Sequence, residues 1–139
     1  MSKKSAKIAE LLENCQGQRL NPHYLGYFEC FNRGLFFEAH EVLEELWLAN
    51  RQSPNHSFYK GLIQLAGAFV HLQKNRLRPS AALFKLARGN IQKYPTVHEH
   101  LDTSQLLRLI DDWIEQVEAL DFAVNPLDRV PAPQLRLLP

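Results

Sequence analysis

Apolar residues recur along this chain every three to four positions, the spacing that lines one face of an α-helix. No run alternates apolar and polar residues at the period of two that a half-buried strand requires. The clearest helical run is Phe36-Phe37-Glu38-Ala39-His40-Glu41-Val42-Leu43-Glu44-Glu45-Leu46-Trp47, which predicts a helix over about 36–49. Before it, Asn21-Pro22 reads as an N-cap followed by proline at the first helical position, and Gly34 as a left-handed stop. Tyr24, Leu25, Tyr27, Phe28 and Phe31 make that helix strongly apolar. A further short helix is expected over about 4–14, with Ile8, Leu11 and Leu12 on one side.

Ser53-Pro54 introduces a helix over about 55–74 that is apolar nearly all round, the mark of a central element. Its polar exceptions, Lys60, Gln64, Gly67 and His71, fall at helical spacing along one stripe. Pro79 is expected to open the next helix, ending near Tyr94-Pro95, with Leu83, Phe84, Ala87, Ile91 and Tyr94 inward and Arg78, Lys85 and Arg88 outward. Asp102-Thr103-Ser104-Gln105 has the form of a capping box and starts a last helix carrying Leu106, Ile110, Trp113, Ile114 and Val117. Residues 121–139, with Pro126, Pro131, Pro133 and Pro139, read as an extended tail. The expected architecture is all-α: one domain over residues 1–120, a compact bundle of five to six helices built from two helical hairpins, followed by this tail. The hairpins look duplicated, but their offset of roughly forty residues does not suit a regular repeat array.

The 36–49 run buries groups that are costly to bury. At about 100° per residue, Phe36, Leu43 and Trp47 centre its inward face. His40 lies beside Trp47, Glu44 sits at the edge, and Glu38, Glu41 and Glu45 fall opposite, where solvation is expected. Ionisable groups resist burial unless paired, so His40 and Glu44 form either a working pair, with the carboxylate orienting the imidazole, or a structural cross-link. A short loop makes the 36–49 and 55–74 helices antiparallel neighbours. The Gln64–Gly67–His71 track can then face His40 and Glu44, with Gly67 allowing close approach of a helix or ligand. His40, Glu44 and His71 are the candidate catalytic residues; Gln64, Trp47 and Lys60 are the candidate ligand-binding residues.

Two histidines and one glutamate also make a known zinc set, so His40, Glu44 and His71 would be the ligands of any metal. His40-Glu41-Val42-Leu43-Glu44 has the shape of HExxH with glutamate in the last place, which removes one helical imidazole. A dinuclear carboxylate site needs Glu-x-x-His motifs on two helices, and none occurs. His23, His56, His98 and His100 lie near expected helix ends or loops and read as solvated.

Composition narrows the remaining classes. With 139 residues, 45% apolar and 22% charged, the chain suits one globular domain with a real core. Its net charge of +1 selects neither nucleic acid nor membrane. Acid concentrates at residues 38–45, and base at residues 74–93, where Lys74, Arg76, Arg78, Lys85, Arg88 and Lys93 occur with no acid. RNA contact through helix 78–93 is the weakest functional alternative, because that face lacks interleaved aromatics for stacking bases. Cys15 and Cys30 are the only cysteines, no CxxC occurs, and the first residues lack an apolar signal core, so a reduced, cytoplasmic setting is expected. Phosphate loops, dinucleotide fingerprints and nucleophile elbows are absent.

Two blocks carry a family resemblance: Phe31-Asn32-x-Gly34-x-Phe36-Phe37-Glu38-Ala39-His40-Glu41-Val42-Leu43-Glu44-x-x-Trp47, and Lys60-Gly61-Leu62-Ile63-Gln64-x-Ala66-x-Ala68-x-x-His71. In order and spacing they resemble the prokaryotic family called domain of unknown function 309, over about residues 28–94. The resemblance implies a compact all-helical fold. It directs attention to Glu38, His40, Glu41, Glu44, Trp47, Gln64 and His71, and it implies no activity. Lys74-Asn75-Arg76 departs from the Arg-Gly-Asn-like turn common in such proteins. The expectation is a polar pocket for a small ligand or metal between helices 36–49 and 55–74. A protein-interaction module, in which the buried polar residues only fix helix register, is the competing class. Trp113 and the tail leucines are candidates for the core or for a homodimer face.

Overall fold

A computed structural model describes residues 20–139. The helix expected over 4–14, and Cys15, lie outside the described residues. Five helices follow in order: α1 (Pro22–Asn32), α2 (Phe36–Ala49), α3 (His56–Gln73), α4 (Leu77–Ile91) and α5 (Thr103–Phe122), with a 3-10 turn at Pro126–Asp128. The all-α expectation holds, and consecutive helices pack against one another.

The local signals act as their chemistry dictates. Asn21 Oδ1 accepts from the His23 amide at 2.8 Å and Pro22 opens α1. Gly34, at φ +76°, ends it, and the chain folds back so that the Leu35 amide reaches Cys30 O at 2.9 Å. The α3–α4 turn does the same without glycine. Asn75 takes φ 57°, and the amides of Lys74 and Arg76 both reach His71 O, at 3.1 and 2.8 Å. Asparagine tolerates this left-handed conformation better than most residues, so it replaces the glycine of the common turn. Asp102 caps α5, accepting from the Gln105 amide at 3.0 Å and from Ser104 Oγ at 2.8 Å. α5 loses helical geometry at Ala119, and Leu120 and Asp121 are left-handed.

Three features differ from expectation. α4 starts two residues before Pro79, because the first turn of a helix has no use for the missing N–H. It stops at Ile91, and Tyr94 serves α3 instead: its hydroxyl accepts from the Phe58 amide at 3.0 Å and donates to Pro54 O at 2.7 Å. Between α4 and α5, Val97–His98 pairs antiparallel with Leu101–Asp102 around Glu99 and His100, both at positive φ. That two-residue turn has the backbone of a type I′ hairpin without the usual Asn-Gly. It is held from outside: Tyr24 OH donates to Glu99 O at 2.7 Å and the Leu138 amide to His100 O at 2.6 Å.

α3 is the central element. Phe69 meets Phe31 of α1, Phe36 of α2, Phe84 of α4 and Trp113 of α5, with ring centroids 5.0–5.5 Å away. Trp113 is therefore a core residue. Gly61 is the point of closest helix approach: a Cβ there would lie 2.8 Å from Ile91 Cγ1. The tail crosses back over α1, where the Asn32 side chain accepts from the Leu135 amide at 2.7 Å and donates to Leu135 O at 2.8 Å. Leu135 is buried, and Leu127 and Leu137 pack against the core.

Candidate functional site

A cavity of about 350 Å³ opens between α2, α3 and α4. α2 supplies Phe37 and His40, α3 supplies Ile63, Gln64, Gly67, Val70 and His71, and α4 supplies Leu83. The α3 residues share one face because they recur at three, four and seven positions. Gly67 leaves room where a Cβ would come within 3.1 Å of Leu83 Cδ1. The walls are otherwise apolar, and Phe37 remains 53% exposed at the rim.

His40, Gln64, Gly67 and His71 all line this one cavity. Glu44 joins through His40: its Oε2 lies 3.4 Å from His40 Nε2. That separation permits ionic attraction but is long for a hydrogen bond. The His40 ring lies over Phe37, 6.0 Å between centroids at 27°. Gln64 Oε1 accepts from Asn90 Nδ2 of α4 at 2.7 Å, which leaves its amide N–H groups as the available polar function. Burial, then the charges of Arg76 and Lys74, hold His71 below the ordinary histidine pKa, favouring the neutral imidazole. His40 Nδ1 and His71 Nδ1 are both shut off from solvent with no hydrogen-bond partner.

Other expected site residues lie elsewhere. Trp47 does not line the cavity; it stacks on His56, 5.1 Å between centroids, where Trp47 Nε1 and His56 Nδ1 are likewise buried without partners. Lys60 is exposed and outside the lining. Among the described residues, no three His, Cys, Asp or Glu side chains are grouped as a metal would need, so His40, Glu44 and His71 do not form a ready-made triad.

Several polar residues are less solvated than their helical positions implied. Glu41 is 6% exposed, because α2 packs against both α1 and α3 and so buries a wider arc than a one-sided helix. His23 Nε2 lies 2.9 Å from Glu45 Oε2. His98 lies 2.6 Å from Asn55 Oδ1 and packs edge-on against Phe58. The basic face of α4 is engaged by acids of the α5 segment: Arg78–Asp121 at 3.5 Å, Lys85–Glu118 at 2.6 Å and Arg88–Asp111 at 2.8 Å. These pairs depend on α5 crossing α4, which no local pattern announces. Phe37 and Leu83 were legible as apolar helix positions but not as cavity walls, and Asn90 gave no signal.

No helix among the described residues is long and apolar enough to cross a membrane. A protein of Bacillus subtilis (strain 168), described as uncharacterized protein YpuF, is 31% identical over 90 residues, covering 61% of this chain. The chain spans about half the length of that curated relative, 50%. No solved structure matches it. Residues 24–83, from α1 to the cavity-lining Leu83, match the model of the family described as domain of unknown function (DUF309), the family that the two sequence blocks resemble.

Proposed function

We propose that the cavity between α2, α3 and α4 binds a small, largely apolar molecule whose polar group is met by His40, Gln64 and His71. The observation that carries this reading is that His40, Gln64 and His71 line one otherwise apolar cavity. Pockets that bind small molecules are mostly apolar with a few placed polar groups, and here the Gln64 amide N–H groups and the two imidazoles are the polar functions of the lining. The cavity volume falls at the lower end of the ~300–1,000 Å³ typical of ligand pockets. Glu44 acts on this reading as the carboxylate that orients His40. The setting we propose is cytoplasmic, following cysteine usage.

The test is a titration of ¹⁵N-labelled protein with a library of small apolar alcohols, amides and acids. Binding at this site shifts the amides of Gly67, Val70 and His71, and His40→Ala and His71→Ala weaken it. Shifts scattered over the surface, or unaffected by both substitutions, would refute the reading. An interaction module is the second reading, favoured by Phe37 and Leu86, which are 53% and 54% exposed. It predicts that Phe37→Ala and Leu86→Ala release a protein partner while fragment binding is undetectable.

A further inference from the structure

We infer that the occupant of this cavity is an anionic amphiphile: a small carboxylate whose apolar body lies against Phe37, Ile63, Val70 and Leu83 and whose head group sits at the His71 end, beside Lys74 and Arg76. This rests on the cavity being a ligand site and adds the chemical class of the ligand.

Three observations orient the molecule. First, the α3–α4 turn closes on His71, whose carbonyl accepts from the amides of both Lys74 and Arg76. The two cations are therefore fixed to the end of α3 that carries His71, and both side chains are exposed. Second, they differ from the cations of α4. Arg78, Lys85 and Arg88 each face an acid of the α5 segment. Lys74 and Arg76 have no ion-pair partner among the described residues. Third, α2 and α3 run antiparallel, so Glu44 falls towards the Ile63 end of the cavity and disfavours an anion there. An apolar trough with acid at one end and unpaired base at the other suits a molecule with an apolar body and one negative head. The His71 ring lines the cavity at the basic end.

The experiment is calorimetric titration of the full chain with octanoate, 1-octanol and octylamine. Octanoate should bind about tenfold more tightly than 1-octanol, the scale expected of two solvent-exposed charge contacts, and octylamine most weakly. Lys74→Gln combined with Arg76→Gln should bring octanoate down to the level of 1-octanol and leave 1-octanol unchanged. Both residues are exposed, so folding is not at stake. Val70→Trp, which fills the trough, should abolish binding of both. Equal binding of octanoate and 1-octanol would overturn the head-group assignment and leave the cavity as a ligand site. Octanoate binding that survives Val70→Trp would place the ligand elsewhere and overturn the inference. Failure of all three probes to bind would remove the cavity reading itself.

Discussion

Phe69 is the side chain on which the packing of α3 depends most, and replacing it tests the fold as described. Its ring is fully buried and meets one aromatic ring from each of the four other described helices. Phe69→Ala removes the transfer energy of the ring and leaves a cavity walled by Phe31, Phe36, Phe84 and Trp113. Phe→Ala changes in cores cost about 3–5 kcal/mol, more where the walls cannot collapse. Here the walls belong to four separate helices, so collapse would require all four to move, and the loss should lie near the upper end. A typical domain has only ~5–15 kcal/mol in total. The assay is guanidinium unfolding followed by helical circular dichroism, with Phe37→Ala as the control. Phe37 is an aromatic residue of similar size, 53% exposed, and its loss should change stability by only about 0.5 kcal/mol. A Phe69→Ala loss under about 1.5 kcal/mol with an unchanged denaturant slope would mean that the five helices do not meet on this ring.

Further outcomes follow from individual contacts. Gly61→Ala places a Cβ 2.8 Å from Ile91 Cγ1 and 3.2 Å from Ala87 O, and should destabilise by about 1–3 kcal/mol. Gly89→Ala meets nothing within 4 Å and should stabilise by about 0.4–1 kcal/mol; thermal melts of the two should move in opposite directions. Asn32→Ala removes both hydrogen bonds to Leu135, so amide exchange at Leu135 should accelerate and stability fall by about 1–3 kcal/mol. Unchanged exchange would show that the tail is held otherwise. For His71, the folded pKa lies below the unfolded value of 6.5, because burial and then Arg76 and Lys74 disfavour the charged ring. The unfolded chain therefore takes up the proton first. The stability contributed by the neutral ring is present above pH 6.5 and is lost as pH falls towards the folded pKa. His71→Gln should flatten that limb of a stability–pH profile, and an identical profile in the variant would refute the assignment.

The local signals proved sufficient for the existence of the described helices, though not for the short pairing of Val97–His98 with Leu101–Asp102. Asn21-Pro22, Gly34 and Asp102 each work through a backbone group within a few residues, so their effect is readable from spacing alone. The run from Phe36 to Trp47 likewise marked α2. The grouping of His40 with the Gln64–Gly67–His71 stripe was also legible, because two helices joined by a short loop can only be antiparallel neighbours. Trp47 and Lys60 were misplaced for a related reason: they share a stripe with the cavity residues but lie further along the seam, where the helices close on His56 or face solvent.

Tertiary structure decided everything that needs a distant partner. The burial of Glu41, the role of Tyr94 at the start of α3, the left-handed Glu99–His100 turn and the pairing of α4's cations all depend on residues about 20 to 75 positions away. Helical period specifies which side chains share a face of one helix, and that much the sequence determined by itself. Which faces meet, how closely, and what space is left between them depend on the packing of the five described helices around Phe69, and from that packing came the cavity between α2, α3 and α4.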